Sequence, residues 1–194
     1  MPAKEIYGIV LLPDAATSQA LIGLSAELCR VAPSSIQLGR ATNLPHVTVV
    51  HIECGLDQAE RLWREFVPEL SAGIAQTYAL YLNARDDGRL FVGASVHKSA
   101  ALAETQAAAV RLAATHGVTV HTATGDGYWP HITLGLWSEA PPVSLPVHAA
   151  ALRATFSIRP ALALMSDTNR GAVVRVVSDR SVSVRFDHQR PYEP

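Results

Sequence analysis

The stretch Pro45-His46-Val47-Thr48-Val49 returns 85 residues later as Pro130-His131-Ile132-Thr133-Leu134. In both copies a proline precedes the histidine, a β-branched residue separates histidine from threonine, and an aliphatic residue follows. Both copies lie in β-branched, aliphatic runs that read as strands. The repetition points to an internally duplicated strand. Alternate side chains of a strand share a face. His46 and Thr48 therefore face one side and Val47 and Val49 the other, and His131 and Thr133 are set opposite Ile132 and Leu134 in the same way. Each copy presents an imidazole beside a hydroxyl on one face and feeds a core with the other.

The rest of the chain reads as mixed helix and strand. Residues 5–12 form a buried strand ended by Pro13. Asp14 is an N-cap for a helix to about Val31 with Leu21, Leu24 and Leu28 on one face. A short strand is predicted at 36–38 and the first motif strand at 46–52. A helix follows from Asp57 to about Leu70, carrying Leu62 and Phe66. Strands at 76–83 and 89–96 are joined through an Asp-Gly hairpin signal. Ser99 caps an alanine-rich helix over 100–115 that Gly117 ends, and the second motif strand spans 130–136. Further strands are predicted near 153–158, 161–166, 172–177 and 182–187. Hairpins mixed with helices argue for an α+β fold with antiparallel sheets rather than a doubly wound parallel sheet.

Composition narrows the function classes. The chain has 194 residues, 48% of them apolar, and a formal net charge of −1. That length suits one domain or two small lobes around a shared core. The charge argues against coating long nucleic acid but leaves room for a nucleotide or an RNA end. No window reaches the ~18 apolar residues of a membrane span, and the N-terminal sequence lacks the pattern of a secretory signal. These features predict a cytoplasmic protein with no membrane association, acting as a monomer. Cys29 and Cys54 have no CxxC or metal spacing and are read as a reduced pair.

Two imidazoles and two hydroxyls facing each other across a groove suit phosphoryl chemistry. Displacement at phosphorus needs a base beside the entering oxygen and an acid beside the leaving one. Histidine, with an ordinary pKa of about 6.5, serves either role near neutrality. Threonine hydroxyls can donate to the non-bridging oxygens.

With these motifs in place, the chain resembles the two-histidine (2H) phosphoesterase superfamily, and within it the bacterial RNA 2′,3′-cyclic phosphodiesterases, also called 2′-5′ RNA ligases. Residues 7–14 (YGIVLLPD) resemble that family's first strand. Residues 88–117 resemble the strand and long helix between its motifs, and residues 154–177 its closing strands. The resemblance implies two similar lobes, each an antiparallel sheet with helices on the outside, meeting at a central cleft. It runs over roughly residues 5–178 and implies a single bilobal domain spanning 1–194, with a C-terminal extension from about 179. It assigns His46 and His131 as acid and base and Thr48 and Thr133 as phosphate ligands, and it implies no metal and no cofactor. The implied activity is metal-independent cleavage of 2′,3′-cyclic phosphates or 2′-5′ linkages in RNA or small nucleotides, with RNA ligation a minor reverse reaction. Some relatives carry an arginine soon after the second motif, where this chain has Gly135-Leu136-Trp137.

Other residues are weighed for the same site. Trp129 shares its parity with His131 and can stack a base. Tyr128, Tyr7 and Arg40 are candidates for substrate contact. His51, five positions after His46, is expected on the opposite face of its strand, which argues against a zinc pair. His97, His116, His121, His148 and His188 lack partnered spacing. A nucleotide-binding module of the same fold without turnover is the alternative reading.

Overall fold

The computed structural model describes residues 4–41, 43–66, 73–84, 88–138, 154–166 and 171–179. The expected strand at 182–187, the tail beyond 179 and the end of the second helix lie outside them.

Strand β1 (Glu5–Pro13) leads into helix α1 (Ala15–Val31). As expected, Asp14 caps α1, its carboxylate accepting from the Thr17 N–H at 2.9 Å. That bond to a backbone donor also holds its pKa below the usual carboxylate value. The short β2 (Ile36–Gln37) precedes the first motif strand β3 (Val47–Cys54), and α2 (Leu56–Phe66) follows. Strands β4 (Gly73–Ala84) and β5 (Leu90–Val96) form a hairpin. Gly88, shortly before β5, takes a φ of 79°, in the left-handed region that favours glycine. Helix α3 (Ala100–Thr115) is capped by Ser99 and ended by Gly117 at φ 64°. After β6 (Thr119–Val120) comes the second motif strand β7 (His131–Trp137), then β8 (Thr155–Met165) and β9 (Val173–Asp179).

The sequence splits β8 in two at Pro160, but the structure runs it through as one strand. On one side β8 pairs with β1 along most of its length. On the other its partner changes, from β4 at Thr155–Ile158 to β9 at Ala161–Met165. Pro160 stands in the gap between those partners, where a missing N–H costs no ladder bond.

Two antiparallel sheets result. One has the order β6-β3-β1-β8-β9, the other β2-β7-β5-β4, and the first residues of β4 pair with β8 and join them. The fold is α+β, as the sequence indicated. The main core lies between the sheets and the helices. It takes Tyr7, Ile9 and Leu11 from β1, Leu21, Leu24 and Leu28 from α1, and Leu62 and Phe66 from α2. The alternate residues of β1, Ile6, Val10 and Leu12, face the other side of the sheet, with Ala161, Ala163 and Met165. Cys29 and Cys54 are free thiols. Among the described residues, no helix is long and apolar enough to cross a membrane.

Candidate active site

The duplication goes further than the motif. In β3, Val10 of β1 pairs with Thr48 and Ile9 with Val50, so Val49 is an extra residue, a β-bulge. In β7, Gly93 of β5 pairs with Thr133 and Val92 with Gly135, so Leu134 is the extra residue. Both bulges fall immediately after the motif threonine. A bulge bends its strand and re-aims the side chains beyond it. Carbonyls at both places are tied down from other elements. The buried Ser25 hydroxyl of α1 donates to the Leu134 carbonyl at 2.6 Å and accepts the Leu38 N–H at 3.0 Å. The Tyr128 hydroxyl donates to the Thr48 carbonyl at 2.9 Å.

The motif prolines have a physical role. His46 Nδ1 lies 2.7 Å from the Leu44 carbonyl, and His131 Nδ1 lies 2.8 Å from the Trp129 carbonyl. A carbonyl only accepts, so each Nδ1 carries the proton and each Nε2 is left with its lone pair. Both carbonyls belong to the residue before a proline, which is held extended by clash with the proline ring. Pro-His thus encodes a fixed tautomer, and it does so twice.

Burial lowers both imidazole pKa values. His46, 5% exposed, is pushed down to about 4, chiefly by burial; the Leu44 carbonyl opposes the shift and the charge of His131 adds to it. His131 is lowered by burial, opposed by the Trp129 carbonyl. His46 therefore feels the charge of His131, although the two belong to different sheets. Strands β3 and β7 pack together across the seam between the sheets, and the Tyr128–Thr48 hydrogen bond crosses that seam.

The second half-site is aromatic. The Trp129 ring lies 4.3 Å from Tyr81 and 5.6 Å from His131 between centroids, and Tyr81 meets the His131 ring edge-on at 5.4 Å. The Tyr81 phenol lies beside Thr133, and burial raises its pKa. Together with Asn83, Phe91 and Gly171 these residues line one cavity. Tyr81 reaches the site because its partner across β5 is Gly93, where a Cβ would stand 2.4 Å from the Tyr81 ring.

The structure places the sequence candidates unequally. His46 and Thr48 share one face of β3. His131, Thr133 and Trp129 line the aromatic cavity, and Trp129 is 42% exposed there. Two assignments need correction. Tyr7 is fully buried in the core beneath the sheet, and its hydroxyl donates to Glu5. Tyr128 is buried and holds the Thr48 carbonyl, so it supports the site rather than contacting substrate. Arg40 donates to Gln19 and lines a groove with Leu44 and Pro45. A third correction concerns His51. The bulge at Val49 reverses the alternation, so His51 pairs with Gly8 and lies on the Thr48 face. Among the described residues, no three His, Cys, Asp or Glu side chains are grouped to hold a metal ion. His116 and His121 pair with Glu65 and Glu53, each at 2.8 Å.

The fold is shared with solved phosphoesterase structures of low sequence identity. E. coli LigT in complex with 3′-AMP superposes with a TM-score of 0.61 at 13% identity, covering 91% of this chain and 97% of that one. A further phosphoesterase gives 0.55 at 13% identity, with 92% and 97% covered. The MHV ns2 PDE domain gives 0.50 at 14% identity, with 90% and 99% covered. No protein-family model and no curated protein matches the sequence.

Tyr128→Phe tests the link across the seam. Losing the hydroxyl strands the Thr48 carbonyl, which is expected to cost about 1–3 kcal/mol in chemical denaturation. An unchanged midpoint would mean the bond carries no stability.

Proposed function

We propose that the chain is a phosphodiesterase that opens 2′,3′-cyclic phosphates, or cleaves 2′-5′ linkages, at an RNA end or in a small nucleotide. The observation that carries this reading is the pair of imidazoles in one tautomer, each Nδ1 bonded to a backbone carbonyl and each Nε2 lone pair left available, with a threonine two residues on. In the reaction, one neutral Nε2 takes a proton from water as its oxygen bonds to phosphorus. The bond from phosphorus to the leaving ribose oxygen breaks, and the other imidazole, protonated at Nε2, gives that oxygen its proton. Thr48 and Thr133 donate to the non-bridging oxygens, where charge accumulates. Trp129 offers an exposed aromatic face next to His131 for a base. E. coli LigT has been captured with 3′-AMP and with NADP+, which supports a nucleotide as the ligand class.

Neither proton transfer calls for a metal, so the test is run in excess EDTA. The four 2′,3′-cyclic nucleotides and a short RNA ending in a cyclic phosphate are supplied, and products are identified as 2′- or 3′-monophosphates. The expected result is turnover that EDTA leaves unchanged. Nucleotide binding without turnover at any pH would favour a binding module instead, and activity lost to chelator would refute the two-imidazole scheme.

A further inference from the structure

The two half-sites share the motif and the bulge, yet they differ at the position the bulge re-aims. Two residues beyond the bulge, the second strand has Leu136, packed with Ile36, Ala172 and Phe91. The first has His51. Its Nε2 lies 3.5 Å from the Thr48 Oγ1. Its backbone is fixed on both sides: the His51 N–H donates to the Thr122 hydroxyl at 2.6 Å, and its carbonyl accepts the His121 N–H at 2.9 Å. The partner opposite Thr133 is the Tyr81 phenol. Each motif threonine thus has one polar side chain beside its hydroxyl, an imidazole in one sheet and a phenol in the other.

A threonine hydroxyl has one proton and two lone pairs, and it rotates to suit its partners. If Nε2–H donates into Thr48 Oγ1, the hydroxyl keeps its own proton for an oxygen in the cleft. A separation of 3.5 Å is at the long end for a hydrogen bond. We propose that His51 is a positioning residue for the reaction, holding the Thr48 hydroxyl so that its proton faces the phosphoryl oxygen. This rests on the phosphodiesterase reading of the cleft. It makes the first half-site a His-x-Thr-x-x-His unit whose last member acts through the threonine.

The test is a double-variant cycle on His51→Leu, Thr48→Val and their combination, with His51→Gln as rescue. It reads kcat and KM for a 2′,3′-cyclic nucleotide, and 3′-AMP binding by calorimetry. Leucine is what the second strand carries at this place, and a wild-type circular-dichroism spectrum confirms folding. His51→Leu is expected to lower kcat about tenfold with KM within about twofold, the loss of one oriented hydrogen bond. His51→Gln, whose amide N–H reaches the Nε2 position, should recover most of that loss. The double variant should be no slower than Thr48→Val alone, because His51 acts only through that hydroxyl. Unchanged kcat in His51→Leu, no rescue by glutamine, or losses that multiply in the double variant would overturn the role of His51 while leaving the phosphodiesterase reading intact. A wild-type protein that neither turns over these substrates nor binds 3′-AMP would overturn both.

Discussion

His46→Ala and His131→Ala are each expected to lower kcat for a 2′,3′-cyclic nucleotide by about 10²–10⁴-fold, the usual worth of a positioned proton donor or acceptor. Binding of 3′-AMP should change by no more than a few-fold, because the lost proton transfers belong to the transition state rather than to ground-state affinity. The double variant should be little slower than the worse single one, since base and acid serve one displacement and neither works fully alone. Steady-state kinetics on the three variants checks this. The reasoning comes from the motif itself. Each imidazole is locked in the same tautomer by the carbonyl two residues back. A variant of either histidine with wild-type turnover would remove that residue from the chemistry.

The second large effect concerns stability. His46 is buried in its neutral form, with its pKa pushed down from 6.5 to about 4. The unfolded chain binds a proton near pH 6.5, and the folded one resists it until about pH 4. Stability from this group is therefore complete above pH 6.5 and is lost as pH falls through that window. The size is about 3 kcal/mol once pH is below both values. His131 shifts in the same direction and adds to the loss. His46→Asn retains an amide N–H for the Leu44 carbonyl but cannot titrate. Denaturation midpoints measured from pH 7.5 to 4 should fall steeply for the wild-type protein and less steeply for this variant. Equal slopes would show that His46 is not held neutral by burial.

Much of this site could be read before the structure, and the failures have identifiable causes. The helix starts at Asp14 and Ser99 were legible because each cap is a local bond between neighbouring residues. The motif faces were legible because alternation is exact over three residues. Beyond the threonine it fails. Buried Val47, Val49, Val50 and Ile52 show two apolar neighbours where alternation allows one. That slip was the visible trace of the bulge, and it places His51 on the face of Thr48. Tyr81 had no motif to announce it. It lies two strands from β7 and arrives through pairing with Gly93, and the only hint was a glycine inside a strand, which often marks close approach by another group. Tyr7 and Tyr128 misled because a tyrosine fits a core or a supporting bond as well as a cleft.

The most direct test is the pH dependence of kcat/KM for a 2′,3′-cyclic nucleotide. This parameter reports the free protein, in which burial places His46 at about 4 and draws His131 below its usual 6.5. One imidazole must be neutral and the other protonated, whichever of the two is the base. The expected profile is a bell on the acid side of neutrality, falling below about pH 4 and declining again before pH 7. The kcat profile should sit at higher pH, since a bound phosphodiester anion favours the imidazolium. A kcat/KM profile flat from pH 5 to 9 would contradict acid–base catalysis by His46 and His131.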